Sequence, residues 1–269
     1  MGEDAAMRIM AFDRRAPGYV DDARSGQEDV NTLRQRGVRN IIDWQPGSWE
    51  VKFTYAWQRT ASPDIAFADN TDGQLTRDYI TQPSPSTNQY SLAELDLRQR
   101  YDWGDVISQT AYVRKTSDKI LDESRILEPY LPVLALPDHS PSGTWSQELR
   151  FTSPDDPSSR WSWVTGLFYS QQRLGFDTGY SLTPPGGGVM PPLLTQLLGG
   201  VLPEFDADGR ITLLRIVANV VIDEKALFAD VTRRLSDDLE LGLGARFYMT
   251  RSGGIVDLTG IGTTNIRLG

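Results

Sequence analysis

The chain has 269 residues, 36 acidic and 27 basic side chains for a formal net charge of −9, no cysteine and one histidine. Without cysteine, disulfides, thiolate metal sites and thiol nucleophiles are excluded. His139 alone is a poor start for a zinc site, and the acidic balance argues against nucleic acid, whose affinity rests on neutralised phosphates.

Met1 to Met7 shows no basic segment leading into an apolar one, and Ala6 stands where a myristoylation signal needs Ser or Thr. A first, weakly marked strand is expected near Arg8 to Asp13. Asn40 to Gln45 and Glu50 to Thr60 read as a hairpin across Pro46-Gly47-Ser48, because Val51, Phe53, Tyr55 and Trp57 alternate with Lys52, Thr54, Ala56 and Gln58. Ser91 to Tyr101 and Val106 to Lys115 form the next pair across Asp102-Trp103-Gly104-Asp105. Thr144 to Ser153 returns through Pro154 to Ser159 into Trp161 to Gln172. Glu224 to Leu235 turns at Ser236-Asp237-Asp238 into Leu239 to Thr250, where Leu239, Leu241, Leu243, Ala245, Phe247 and Met249 make an unbroken apolar face. Several of these runs reach the ten or so residues that a tilted strand needs to cross a bilayer.

No stretch approaches the ~18 uninterrupted apolar residues of a membrane helix. The richest, Ile211 to Ile222, is broken by Arg215 and Asn219 and fits strand or helix equally. Pro191 to Leu198 reads as a short amphipathic helix. Short turns at 46–49, 102–105, 154–160 and 236–238 alternate with long segments at 61–90, 116–143 and 173–223 rich in Pro, Gly, Ser and Asp. A compact soluble domain rarely carries several structureless loops beyond roughly 12 to 15 residues. Short turns at one end and long loops at the other are the pattern of an outer-membrane barrel.

The fold class expected is therefore all-β: a partial antiparallel transmembrane β-barrel of about ten strands, with short periplasmic turns and long extracellular loops. No catalytic, cofactor-binding or metal-binding residue is assigned. Asp155-Asp156 and Asp237-Asp238 resemble paired carboxylates but sit in turns, where Asp bonds the nearby backbone. Asp206-Ala207-Asp208-Gly209 lacks the remaining ligands of a calcium loop. Gly242-Leu243-Gly244 lacks the third glycine of a dinucleotide site and is expected to relieve crowding on the lumen face. His139 is expected exposed in a polar loop, and Trp161, Trp163, Tyr169 and Tyr248 are read as an interfacial girdle rather than a sugar platform. One candidate site remains, a lumen-facing polar network of Glu148, Arg150, Asp230, Glu240 and Arg246. Charges there need partners among themselves or on a domain filling the lumen.

The chain resembles the barrel region of TonB-dependent outer-membrane receptors. The resemblance lies in Gly18-Tyr19-Val20-Asp21-Asp22, Asp29-Val30-Asn31, Gly37-Val38-Arg39, Trp145 to Ser153, Trp163 to Tyr169, Ala226 to Thr232 and Gly242 to Tyr248. It implies a plug domain inside a barrel of roughly 22 strands, of which residues 1–269 would be an internal part lacking the plug, the TonB box and the closing C-terminal strands. It also implies uptake of a scarce nutrient, such as a ferric siderophore, vitamin B12 or a glycan, with outer-membrane lipid as surroundings and with TonB and plug as partners only in a full-length protein. The alternatives are a passive porin-type channel, or a secreted β-rich glycan-acting enzyme using Glu148 and Asp230, which would need a suitable carboxylate spacing.

Overall fold

The computed structural model describes residues 4–68, 74–78, 82–124, 133–156, 158–183, 196, 210–260 and 266–268. Its strands are β1 Ala5–Ala16, β2 Asp21–Asp22, β3 Leu33–Trp44, β4 Trp49–Ser62, β5 Thr76–Arg77, β6 Ser86–Tyr101, β7 Gly104–Asp122, β8 Val133–Thr152, β9 Trp161–Thr183, β10 Ile211–Ser236, β11 Leu239–Gly260 and β12 Ile266–Leu268. Ten of them form one sheet in the order β1-β3-β4-β6-β7-β8-β9-β10-β11-β12, while β2 and β5 pair separately and in parallel. Every neighbour in the large sheet is antiparallel, and among the described residues its two edges do not meet.

The two-residue period of the sequence fixes this register, since a slip of one residue would turn every apolar side chain to the opposite face. Apolar residues meet across the strands, as in Phe53 opposite Leu95, Tyr112 opposite Trp145, Leu149 opposite Leu167 and Leu227 opposite Phe247. Such pairs contribute roughly 0.2–1 kcal/mol each. The turns are tight. Gly47 adopts φ 64° between β3 and β4, and Gly104 adopts φ 142° just after Asp102-Trp103, where a Cβ would lie 1.9 Å from the Thr152 carbonyl oxygen.

The strands outrun their expected bounds at the long-loop end. β7 continues to Asp122, β8 starts at Val133, β9 continues to Thr183 and β10 starts at Ile211, so the described parts of the segments expected as loops at 116–143 and 173–223 are largely sheet. Ile211 to Ile222 is strand. Pro137 and Pro141 lie within β8, whose pairing to β7 is continuous but whose pairing to β9 skips Leu136, Pro137, Ser140 and Pro141. A proline lacks an N–H, so it survives inside a sheet where only one ladder is broken. The first strand is longer than expected, and the chain's last described residues, Ile266–Leu268, pair with β11. The expected helix at Pro191 to Leu198 and the Asp206 to Gly209 segment lie outside the described residues, Gln196 excepted.

The buried hydrophobic residues among those described are few: Val20, Val30, Leu134, Ala135, Leu182, Ile211 and Ala226. A soluble domain of this length would bury about three-quarters of its unfolded surface in a shared core. Here most large apolar side chains stand on one open face of a single layer.

Candidate functional site

Pairing places Glu148, Arg150, Asp230, Glu240 and Arg246 on one face of the sheet, with Asp43, Lys52, Asp96 and Gln109. The structure divides the five into local groups. Arg150 donates to Glu148, beside a concavity of about 320 Å³ that Lys52, Asp96, Arg98 and Gln109 also line. Arg98 donates to Asp105 and lies 3.7 Å from Glu50. Arg246 reaches Glu224 at 3.4 Å and stands over the rings of Phe168 and Phe228, whereas Glu240 pairs with Arg234 at 3.3 Å near the turn. Asp230 accepts a long bond from Thr232, and a Cβ on Gly244 would meet its carboxylate at 2.5 Å. Gly244 therefore makes room on this face.

The opposite face is apolar and carries two aromatic tiers. Trp44, Trp49, Tyr101 and Trp161 lie at the short-turn end, where Trp103 stacks on Tyr101 with ring centres 5.4 Å apart. Tyr55, Tyr112, Trp145 and Tyr169 lie higher, with Trp145 and Tyr169 5.5 Å apart. From Trp161 to Tyr169 is a strand length of ~26 Å, or ~20 Å of height at a tilt of about 40°, close to the ~25 Å apolar band of a membrane barrel. Trp163 shares this face. Tyr248 does not: it lies opposite Ala226 on the face of Arg246, so the girdle expected of it is corrected. Its even position in β11 already dictates that face.

The long-loop end holds a feature that periodicity does not reveal. Arg77 has no exposed side-chain surface, donates to Asp64 and pairs with Asp22 at 3.2 Å. Burial opposes its charge, but hydrogen bonds and the field of Asp64 and then Asp22 more than offset this, so its pKa is held above the ordinary guanidinium value. The surplus negative charge is met by backbone N–H donors from Arg24 and Ser25 to Asp22 and from Ser84 to Asp64. The contacts continue sideways. The Ser84 hydroxyl accepts from the Asp122 N–H, the Asp122 carboxylate accepts from Gln82 and Ser124, and the Ser124 hydroxyl accepts from Leu134. Three successive connections, β1–β3, β4–β6 and β7–β8, are thus tied into one rim. Asn31 belongs to it, its side-chain oxygen accepting from Tyr19 and Val20 at 2.8 and 3.0 Å. The sequence signal was modest: Arg77 is the single cation between Ala61 and Tyr90, among four aspartates.

The remaining candidates behave as local chemistry dictates. Asp156 accepts from the N–H and hydroxyl of Ser158, which hold its carboxyl below the usual range. Asp237-Asp238 form the two-residue turn between β10 and β11. His139 lies in β8 rather than in a loop; it is half-exposed and contacts the Asp118 carboxylate. Nearby, Arg215 binds Asp177 through two nitrogens at 2.6 and 2.8 Å, beside a concavity of about 550 Å³. Among the described residues no group of three His, Cys, Asp or Glu is placed to hold a metal ion, and no helix is long and apolar enough to cross a membrane, which says nothing of strands.

The fold has counterparts among solved structures. The ferric yersiniabactin uptake receptor FyuA from Yersinia pestis superposes with a TM-score of 0.75 at 15% identity, over 98% of this chain and 37% of that one. FpvA from P. aeruginosa, solved with iron and a heterologous pyoverdine, superposes at 0.51 with 11% identity, over 98% of this chain and 34% of that one. No family model and no curated protein sequence matches the chain. At such identities the likeness shows the fold alone: an all-β, antiparallel, partial barrel. The chain spans little more than a third of each receptor's length.

Proposed function

We propose that the chain is part of the wall of an outer-membrane receptor that takes up a scarce nutrient, of the ferric siderophore class, with energy passed through TonB. The observation that carries this reading is the superposition of 98% of the chain on a ferric siderophore uptake receptor, joined to two faces with opposite chemistry. In this reading the apolar face and its aromatic tiers meet lipid. The face of Glu148, Arg150, Asp230, Glu240 and Arg246 lines the lumen, where its charges meet one another, water or a plug. The tied rim stands outside the cell and holds the long loops as a fixed mouth. The rest of the wall and the plug come from polypeptide beyond these residues, since ten strands cannot close a barrel of roughly 22. The role is transport, without a catalytic step.

The test is genetic. Deleting the region encoding these residues in a Gram-negative host should abolish uptake of radiolabelled iron from one ferric siderophore of a panel, and disabling TonB in the parent should give the same loss. Unchanged uptake across the panel, together with loss of a different solute, would assign the wall to another receptor or to a passive channel.

A further inference from the structure

Above the upper aromatic tier the faces of β9, β10 and β11 exchange character. On the face of Arg246, every second residue of β10 from Ile216 to Ile222 is apolar, flanked by Leu174 and Phe176 on β9 and by Val256 and Leu258 on β11. The opposite face at the same height carries Arg173, Arg215, Asn219 and Asp257. Lower down the order is reversed, with Glu224, Asp230 and Arg246 on the first face and Leu227 and Phe247 on the second. Three strands ~4.8 Å apart make the upper patch about 14 by 20 Å, the few hundred Å² at which an apolar surface marks a contact. Phe176 is 40% exposed within it. The two apolar surfaces lie on opposite sides of a single layer, so a medium that covers the lower one leaves the upper one in need of its own cover.

We propose that the cover is the chain's own residues 189–202, packed back against this face. Eight of these fourteen residues are Val, Met or Leu, and none is charged. They join β9 to β10, the two strands at the centre of the patch. The reach suffices on both sides. From Thr183 to Leu193 the extended chain spans up to ~33 Å, against ~23 Å from Thr183 back along β9 to Phe176. From Leu202 to Ile211 it spans up to ~30 Å, against ~17 Å from Ile211 along β10 to Ile216. A segment tethered at both ends is held beside the patch at an effective concentration of about millimolar, which a free ligand or a second copy must outcompete. This packing goes beyond the transport reading and is independent of it, needing only the sheet and the sequence of one connection.

The chain has no cysteine, so introduced thiols report each face. Val220→Cys and Val221→Cys are neighbours on β10 that point to opposite faces. Each is to be labelled with a water-soluble maleimide in the full chain in detergent micelles, with residues 189–202 intact or replaced by a Gly-Ser run of equal length. The replacement should speed labelling of Val220→Cys by about tenfold or more, the protection that burial of one leucine gives, and leave Val221→Cys unchanged. Protection at position 220 that survives the replacement assigns the cover to a ligand or another domain, and protection that fades when the parent is diluted assigns it to a second copy. Either result overturns the proposal. A second measurement keeps the segment in place, so it decides the matter even where the replaced chain misfolds. On mild oxidation Val220→Cys should form a disulfide with Leu193→Cys, Leu194→Cys, Leu197→Cys or Leu198→Cys, and Val221→Cys should not. No preference for position 220 across the four overturns the packing.

Discussion

Arg77 is buried between the carboxylates of Asp22 and Asp64 at the long-loop end of the sheet. Its partners Asp22 and Asp64 lie 55 and 13 positions away in connections whose composition reads as mobile. Only the folded chain brings one cation between two carboxylates out of water. Removing one member of a buried ion group leaves the others uncompensated, at a cost of about 3–5 kcal/mol. Arg77→Met should therefore lower the urea midpoint of the detergent-solubilised chain and speed proteolysis beside Asp22 and Asp64, and adding Asp64→Asn should recover part of the loss. Unaltered cleavage beside Asp22 and Asp64 and an unaltered midpoint would show that the rim holds without its arginine. Asp177 poses a milder case. Its bond to Arg215 holds its pKa below the ordinary carboxylate value, so the pair stabilises the fold above the unfolded pKa of about 3.9. That contribution fades as pH falls through the lower folded value. Both groups are substantially exposed, so Asp177→Asn should cost no more than ~1 kcal/mol at neutral pH, and the parent and variant should converge in strong acid. A difference that persists there would assign the effect to packing.

At the scale of strands and turns, the lower half of each strand was legible and the upper half was not. Below the upper aromatic tier one face is apolar and the other polar, which writes the two-residue period into Val51 to Trp57 and Leu239 to Met249. Above it, in β8, the apolar and polar residues no longer alternate, and Pro137, Pro141, Ser140 and His139 read as loop although the β7 ladder runs through them. The candidate lumen residues were legible as a shared face, because parity is local. Their separate partners were not, because Glu224 and Arg234 join them only through hairpin register. Turns carry the sharpest constraint at this scale. Gly104 combines φ 142° with a Cβ position 1.9 Å from the Thr152 carbonyl oxygen, so β7 can leave its turn and pack beside β8 only without a side chain. Gly104→Ala should cost about 1–3 kcal/mol, read as a lower urea midpoint. An unchanged midpoint would mean that the turn relaxes without disturbing the hairpins.

For the whole molecule, the decisive quantity is the apolar surface left uncovered by a single layer. Leu241, Leu243, Phe247 and Met249 are 63–81% exposed on one strand alone, and equivalent side chains continue across the sheet to Ile9 and Ile42. A soluble monomer seldom tolerates a contiguous apolar patch beyond a few hundred Å². Among the described residues, β1 and the stretch of β11 that the short β12 does not pair add rows of backbone donors and acceptors that in water template association with further chains. In lipid the same edges are costly unless paired, because the hydrocarbon offers no hydrogen bonds. One environment therefore suits the face and neither suits the edges. The chain expressed alone should be recovered from water only as aggregate. In detergent micelles, where headgroups and water reach the edges, it should yield strand-rich, dispersed particles by circular dichroism and light scattering. A monodisperse folded monomer in detergent-free buffer would mean that the apolar face is covered by the chain itself, and the wall-segment reading would fall with it.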